Sequence, residues 1–146
     1  MKVFLGGTCN GSVWRDILMP MLSEAGIDYF NPVVEDWTKE AQIKEEEEKA
    51  KADIRLYVLT PKMSGVFSIA ELVDDSNKYP NKTICLNIEQ DDGYTYEISQ
   101  YKSITAVLKM VEKNGVAVFK DMYSLIEFIK RHMASSQFRN EEFSGW

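Results

Sequence analysis

Glu71 is the side chain whose type and position most suggest chemistry. It follows a run of apolar residues at 54–59, bounded by Asp53 and by Thr60-Pro61, which predicts a strand buried on both faces. A Ser- and Gly-containing loop comes next, and Glu71 lies in the first turns of the helix that follows. Open α/β sheets bind ligands in such loops, outside the carboxyl ends of their strands. A carboxylate there can attack or stabilise a developing cation.

Other acids lie on the same helix. Ser68, Glu71 and Asp75 are spaced by three and four residues, so they share one helix face. Grouped carboxylates can divide the roles of acid and nucleophile, because each changes the proton affinity of its neighbour. The same spacing is typical of a solvated acidic helix. Both interpretations stay open at this point.

A second polar loop, Gly-Gly-Thr-Cys-Asn-Gly-Ser at residues 6–12, also joins a predicted strand to a predicted helix. It matches neither the dinucleotide-binding glycine pattern nor a Walker sequence. Its glycines nevertheless allow a ligand to approach backbone amides, and the helix start favours anionic or hydroxyl-rich groups. We therefore expect Gly7, Thr8 and Asn10 to bind substrate, and Arg15 to be available for a phosphate. The alternative is an ordinary tight turn, with Arg15 paired to a surface acid.

Two further segments carry acids. The loop at residues 31–37 contains Asn31, Asp36 and Trp37, which could supply hydrogen bonds and base stacking at the rim of a cleft. Trp37 packed on the core is the alternative. The run of four glutamates at residues 45–48 is typical of a solvated helix face. Four successive residues cover every side of a helix, however, so one of them can still turn inward.

Alternating strands and helices predict the fold. We expect strands over residues 2–6, 27–30, 54–59, 83–88 and 116–119, and helices over 14–25, 38–51, 68–77, 99–114 and from 121 or 124 to 133. Pro20 predicts a kink or break near Met19, and Asp91-Asp92-Gly93 predicts a turn. The alternation indicates a Rossmann-like, three-layer α/β sandwich with a five-stranded parallel sheet. We favour the flavodoxin-like order 2-1-3-4-5, which brings the two polar loops together across one crevice.

Size and composition limit the function. The 146 residues, 45% of them apolar, suffice for one domain, predicted over 1–133, followed by a polar tail over 134–146. Phe138, Phe143 and Trp146 in that tail are expected to dock on the domain or on a partner subunit. A net charge of −6 disfavours nucleic-acid polymers. A small molecule is the more compatible partner.

Location and metal content follow from the same composition. No apolar run approaches the roughly 20 residues that span a bilayer, and the first residues lack the pattern of a signal peptide. Cys9 and Cys85 fit neither a metal nor a disulfide spacing, and His132 is the single histidine. We expect a cytoplasmic protein without a metal site and without membrane association.

Three segments resemble the nucleoside 2-deoxyribosyltransferase-like family: residues 4–8, 30–37 and 59–71. The resemblance covers roughly the first 115 residues. In that family a strand, loop and helix ending in Gly-x-x-x-Glu-Leu/Ile-Gly supply the nucleophilic glutamate, and Ala70-Glu71-Leu72 matches it here. Two departures stand out, because Gly65 replaces a family aspartate and Val73 replaces a small residue. A second family acid that handles the proton of the base corresponds to Glu45 or to Asp36.

The resemblance implies a reaction in two halves. Glu71 would attack C1′ of a 2′-deoxynucleoside while Asp36 or Glu45 protonates the leaving base, and another base or water would then resolve the glycosyl-enzyme with net retention. The resemblance implies no cofactor. It implies that the protein forms a homo-oligomer. The substrate-binding positions would be Gly7, Thr8, Asn10, Arg15, Asn31, Trp37, Ser64, Gly65, Ser68 and Asp75.

Two alternatives are kept. Hydrolysis of a deoxynucleoside 5′-monophosphate would use Ser64, Ser68 and Arg15 as a phosphate clamp. A non-catalytic nucleotide-binding module would use Glu71 only as a ligand of the ribose.

Overall fold

The computed structural model describes residues 1–9 and 11–144, and for residues 136–144 it describes the backbone alone. The strands are β1 (Lys2–Gly7), β2 (Asp28–Phe30), β3 (Ile54–Leu59), β4 (Thr83–Asn87), β5 (Gln90–Asp91), β6 (Tyr94–Thr95) and β7 (Ala117–Phe119). The helices are α1 (Trp14–Glu24), α2 (Lys39–Lys51), α3 (Phe67–Lys78), α4 (Ile98–Lys113) and α5 (Met122–Ser144).

Five of the strands form one parallel sheet in the order β2-β1-β3-β4-β7. This order confirms the predicted 2-1-3-4-5 arrangement, with β5 and β6 set aside as a separate antiparallel hairpin. Strand β3 lies in the centre and every one of its residues is buried. The order reverses between β1 and β3, so the loops after these two strands meet at the same edge of the sheet.

Side chains of β3 alternate between two hydrophobic cores, as the period of two in a strand requires. Leu56 and Val58 belong to the core that α1 and α5 cover, whereas Tyr57 and Leu59 belong to the core that α3 and α4 cover. Helix α2 contributes no buried residue to either core. Its mostly charged sequence is therefore free to present polar groups towards the neighbouring helix α3.

Local differences from the predictions have simple physical reasons. A kink or a break was predicted near Met19; helix α1 is continuous through Pro20, so there is no break. Leu18 and Leu22 are buried on either side of Pro20, which is itself exposed, and their packing holds the helix together where one backbone hydrogen bond is lost. The last helix was expected to end near Met133 and instead continues to Ser144.

The predicted turn at residues 91–93 is the centre of the β5–β6 hairpin. Asp92 and Gly93 both have positive φ angles, 51° and 81°, as a tight two-residue hairpin turn requires.

Within the described part of the chain, no helix combines the length and the apolar character needed to cross a bilayer. The predictions for Asn10 and for the side chains of Phe138, Phe143 and Trp146 lie outside the described residues.

Candidate active site

Two neighbouring cavities open beside the carboxyl ends of β1 and β3, and together they are called the cleft below. They share four lining residues: Trp37, Glu45, Phe67 and Glu71. One cavity, of about 420 Å³, extends over Gly7 and Arg15 and under the loop that follows β2. The other, of about 460 Å³, extends between α2 and α3. Volumes of this size are typical of sites for small organic ligands.

Glu71 lies on the shared wall and is held by a lysine from the neighbouring helix. Its Oε2 accepts a hydrogen bond from Lys49 Nζ at 2.8 Å. The side chains are only 18% and 21% exposed, so the pair is partly withdrawn from water. An ion pair in such surroundings is screened less than a surface pair. Glu71 is therefore fixed through one carboxylate oxygen.

Asp75 is a buried carboxylate next to the pair formed by Lys49 and Glu71. Its Oδ1 accepts from Arg55 Nη1 at 2.9 Å, its Oδ2 accepts from the Tyr57 hydroxyl at 2.5 Å, and Lys49 Nζ is 3.7 Å from Oδ2. Burial, and then the hydrogen bond to Asp75, raise the pKa of Tyr57 far above its usual range, so the phenol keeps its proton and donates. The Asp75 side chain is 4% exposed and does not line the cleft. The structure gives it the role of a buried anchor, where the sequence predicted a substrate contact.

Glu45 lies on the shared wall in surroundings unlike those of Glu71. Partial burial raises the pKa of Glu45, the negative charge of Glu71 raises it further, and Lys49 and Arg15 offset part of the effect. Glu45 thus retains a proton to a higher pH than an ordinary glutamate. Asp36, the other candidate acid, is exposed and does not line the cleft. Two carboxylates in contrasting environments can act as nucleophile and acid.

The loop after β1 is tied tightly to β3. The Thr8 amide donates to the Val58 carbonyl oxygen at 2.8 Å, the Thr8 hydroxyl donates to the same oxygen at 3.2 Å, and the Thr60 amide donates to the Thr8 hydroxyl at 3.1 Å. The sequence predicted that the backbone amide of Thr8 would bind substrate, but this amide already donates a hydrogen bond within the protein. Gly7 lines the cleft at the same point.

Arg15 holds the same loop from the side of α1. Its Nη1 donates to the Thr8 carbonyl oxygen at 2.7 Å and its Nη2 to the Leu5 carbonyl oxygen at 2.9 Å. Its guanidinium also lies 4.3 Å from the centre of the Trp14 ring. Burial lowers the pKa of Arg15 below its usual value. These contacts stabilise the end of β1, while the side chain still forms part of the wall of the cleft.

The remaining predicted residues surround the cleft. Ser64, Gly65 and Ser68 line a smaller adjoining cavity of about 110 Å³ at the start of α3, and Ser68 also lines the cavity of about 420 Å³. Asn31 holds the loop after β2, because its Oδ1 accepts from the Val33 amide at 3.1 Å. Trp37 is 59% exposed on the shared wall, opposite helix α3.

Four residues of this site were missed in the sequence: Lys49, Arg55, Tyr57 and Phe67. Lys49 lies four residues after Glu45 and hence on the same face of α2. This spacing could have indicated Lys49, but the run of four glutamates favoured a solvated helix face. Arg55 interrupts an otherwise apolar buried strand, and a buried cation needs a buried anion. Phe67 is 74% exposed beside the cleft, which is unusual for an aromatic residue. Nothing in its local sequence indicates this exposure.

One comparison with known proteins identifies a relationship. A family model described as nucleoside 2-deoxyribosyltransferase like matches residues 1–89. The matched residues include β1 to β4 and every residue that lines the cleft. No curated protein matches the chain. The segment after residue 89, with the β5–β6 hairpin, α4, β7 and α5, lies outside the match.

Proposed function

Because the chain belongs to the nucleoside 2-deoxyribosyltransferase-like family, we propose that it transfers the deoxyribosyl group of a 2′-deoxynucleoside through a covalent intermediate on Glu71. Glycosyl transfer on nucleosides is the general activity that the family indicates. The observation that carries the finer proposal is the pairing of two unlike glutamates on one wall. Glu71 is paired with an ammonium group, and Glu45 has a raised pKa.

In the first half of the reaction, Glu71 attacks C1′ and the bond from C1′ to the base nitrogen breaks. The electron pair of that bond goes to the base, which takes a proton from Glu45. The anomeric centre has oxocarbenium-like character on the way, as in retaining glycosidases. Glu45 is preferred to Asp36 as the acid because it lines the cleft and because partial burial raises its pKa.

In the second half, a nitrogen of an incoming base, or a water molecule, attacks C1′ from the side that the first base left. The bond between C1′ and Glu71 breaks, and the proton of the acceptor returns to Glu45. Two inversions give net retention. Whether a base or water is the natural acceptor decides between a transferase and a hydrolase, and both use the same side chains.

The aromatic side chains of Trp37 and Phe67 suit the base of the substrate. Both are mostly exposed and both line each of the two cavities, together with Glu45 and Glu71. Large aromatic surfaces in water are stabilised by stacking on a planar ligand. The overall net charge of −6 supports a small nucleoside rather than a polymer.

A deoxynucleoside 5′-monophosphate is the second candidate substrate, and the small cavity at the start of α3 favours it. Ser64 and Ser68 line that cavity, and α3 begins without a side-chain cap. Free amides at a helix start favour an anion. Ser64→Ala should then impair cleavage of the monophosphate and leave cleavage of the nucleoside unchanged, because Ser64 lines the small cavity and not the cleft.

The test is incubation with 2′-deoxynucleosides and their 5′-monophosphates, with and without free adenine, followed by chromatography. Glu71→Gln keeps the size of the side chain but removes the nucleophile, so turnover should fall by about 10³-fold or more. Glu47→Gln is the matched control, because Glu47 is exposed on α2 and outside the cleft.

The outcomes separate the candidate functions. A mass increase of one deoxyribosyl group on the peptide containing Glu71 supports the covalent mechanism. Robust turnover by Glu71→Gln contradicts it. Binding of deoxynucleosides by the wild type without cleavage of any of them favours the non-catalytic binding module.

A further inference from the structure

We propose that Lys49 is a positioning residue that exchanges its carboxylate partner, from Glu71 to Asp75 and back, in each catalytic cycle. The proposal rests on the glycosyl transfer proposed above. It assigns to Lys49 the control of how long the covalent intermediate lasts.

The position of the Lys49 ammonium is the first observation. Its Nζ lies 2.8 Å from Glu71 Oε2 and 3.7 Å from Asp75 Oδ2, so it reaches one carboxylate directly and a second one nearby. It also lies 5.6 Å from the centre of the Tyr57 ring. Lys49 therefore sits between two anions in a partly dehydrated site, where an ammonium group needs an anionic partner.

The difference between the two anions is the second observation. Asp75 is buried and fixed by hydrogen bonds from Arg55 and Tyr57. Glu71 lies on the wall of the cleft, and Lys49 is the hydrogen-bond donor to its carboxylate. Asp75 thus keeps its place through the cycle, whereas the charge on Glu71 changes with the chemistry.

The loss of charge on Glu71, together with the short distance to Asp75, favours the exchange. When Glu71 forms its bond to C1′, the carboxylate becomes an ester and loses its negative charge, while the electron pair of the broken glycosidic bond leaves with the base. Asp75 Oδ2, 3.7 Å from Lys49 Nζ, is then an anion within reach of Lys49, and Glu45, which has given its proton to the base, is a second negative charge on the same face of α2. A small movement of the flexible Lys49 side chain closes the 3.7 Å gap. The ester is left with a weaker contact to the ammonium group.

The return step shows what Lys49 contributes. When the acceptor attacks C1′, the bond to Glu71 breaks and its electron pair returns to the carboxylate. Lys49 can donate to that oxygen as its charge develops, and so stabilises Glu71 as a leaving group. Lys49 therefore acts mainly on the second half of the reaction, because the charge on Glu71 appears there and disappears in the first half.

The experiment measures both halves separately in Lys49→Met, Lys49→Arg and wild type, with 2′-deoxyadenosine as the probe and hypoxanthine as the acceptor. Rapid quenching and intact-protein mass spectrometry give the fraction of enzyme that carries a deoxyribosyl group. Lys51→Met, an exposed lysine at the end of the same helix, is the control. Circular dichroism checks that each variant is folded.

Lys49→Met should slow the second half by about 10- to 100-fold, the size expected for a lost hydrogen bond to a charged group. The first half should slow much less, so the covalent form should accumulate at steady state. Lys49→Arg should restore most of the second-half rate, and Lys51→Met should match the wild type. A merely structural lysine would not change the fraction of covalent enzyme.

Failure of this inference is distinct from failure of the proposed function. If the wild type gains the deoxyribosyl mass but Lys49→Met leaves both the covalent fraction and the second-half rate unchanged, the role of Lys49 is refuted and the covalent mechanism stands. Equal slowing of both halves, without accumulation, also refutes it. If the wild type neither gains the mass nor cleaves the probe, its monophosphate or the other deoxynucleosides, both proposals are wrong.

Discussion

Glu45 and Glu71 have the same side chain and line the same wall, yet their neighbours differ. Glu71 accepts a hydrogen bond from the ammonium group of Lys49, whereas Glu45 is partly buried and the negative charge of Glu71 raises its pKa. Environment, rather than residue type, separates a nucleophile from an acid in such pairs. The role of Glu45 as the acid can be tested by the pH dependence of the reaction.

Glu45→Gln should lower kcat/KM for a 2′-deoxynucleoside by about 10²- to 10⁴-fold, because the leaving base is no longer protonated. In the wild type, kcat/KM should fall as the pH rises through the raised pKa of Glu45, since the acid must hold its proton. The variant should lack this fall. Steady-state rates over a pH series measure both effects.

A substrate with an activated leaving group provides the control for that prediction. The base of 7-methyl-2′-deoxyguanosine is already positively charged and needs no proton to leave. Its cleavage should be nearly unaffected in Glu45→Gln. Equal losses on both substrates would show that Glu45 does not act as the acid, and the same measurements on Asp36→Asn would then test Asp36.

At the level of elements, the close contact of β1 with β3 builds the floor of the cleft. Gly7 pairs with Val58 and has a φ angle of 120°, in the region that side chains rarely adopt. A Cβ atom on Gly7 would lie 2.2 Å from the Val58 carbonyl oxygen and 2.5 Å from its nitrogen. Only glycine allows the two strands to meet here.

Gly7→Ala should lower the free energy of unfolding by about 3 kcal/mol or more, because both the backbone angle and the contact with Val58 are strained. Urea denaturation followed by circular dichroism measures the change. Gly65→Ala is the matched control, since a Cβ there would meet no atom within 4 Å. Similar stabilities for the two variants would contradict the argument.

A buried carboxylate, that of Asp91, helps to dock the β5–β6 hairpin. Asp91 Oδ2 accepts from the Ser12 hydroxyl at 2.5 Å and from the Thr60 hydroxyl at 2.7 Å, so it joins the loops after β1 and β3 to the hairpin. These are the two loops that the order of the strands brings together. Asp91 therefore links the hairpin to these two loops, at the end of the sheet where the cleft opens.

Asp91→Asn should destabilise the protein by about 1 to 3 kcal/mol, because an amide cannot replace the charged acceptor for both hydroxyl groups. Asp92→Asn removes an exposed ion pair with Lys62 and should cost less than about 1 kcal/mol. Thermal unfolding of the two variants gives the comparison. Equal effects would show that Asp91 does not hold the hairpin.

For the whole molecule, we expect a homo-oligomer. Several large apolar side chains near the cleft are exposed in the single chain: Val33, Val34, Trp37, Val66 and Phe67. An exposed apolar patch of this kind is typical of a surface that binds a ligand or a partner. The family resemblance in the sequence implies the same assembly.

Deleting residues 137–146 should change either the mass of the oligomer or the rate of nucleoside cleavage. The prediction rests on the apolar residues Phe138, Phe143 and Trp146 in an otherwise polar segment. Light scattering coupled to gel filtration gives the mass, and chromatography gives the rate. If neither changes, the segment has no part in assembly or activity.

The order of strands and helices, and the position of Glu71 at the point where the sheet order reverses, could be predicted from the sequence alone. Both depend on local signals, namely runs of apolar residues, helical spacing and turn residues, and on the general rule that parallel crossovers are right-handed. The family resemblance predicts Glu71 as the nucleophile from a short motif that is contiguous in the chain. The length of α5 was missed, since helix ends are weakly encoded.

The partners of Glu71 were decided only by the tertiary structure. Lys49 and Glu71 are 22 residues apart, Arg55 and Asp75 are 20 apart, and no local pattern records such pairs. The choice of Glu45 over Asp36 likewise depends on which side chain turns into the cleft and loses water. Arg15 looked available for a phosphate in the sequence, but its position against the Leu5 and Thr8 carbonyl oxygens uses it within the fold. Hydrogen bonding and desolvation are properties of the packed molecule, so residue types and spacing predicted a chemistry, and only packing determined which groups are placed for the chemistry proposed above.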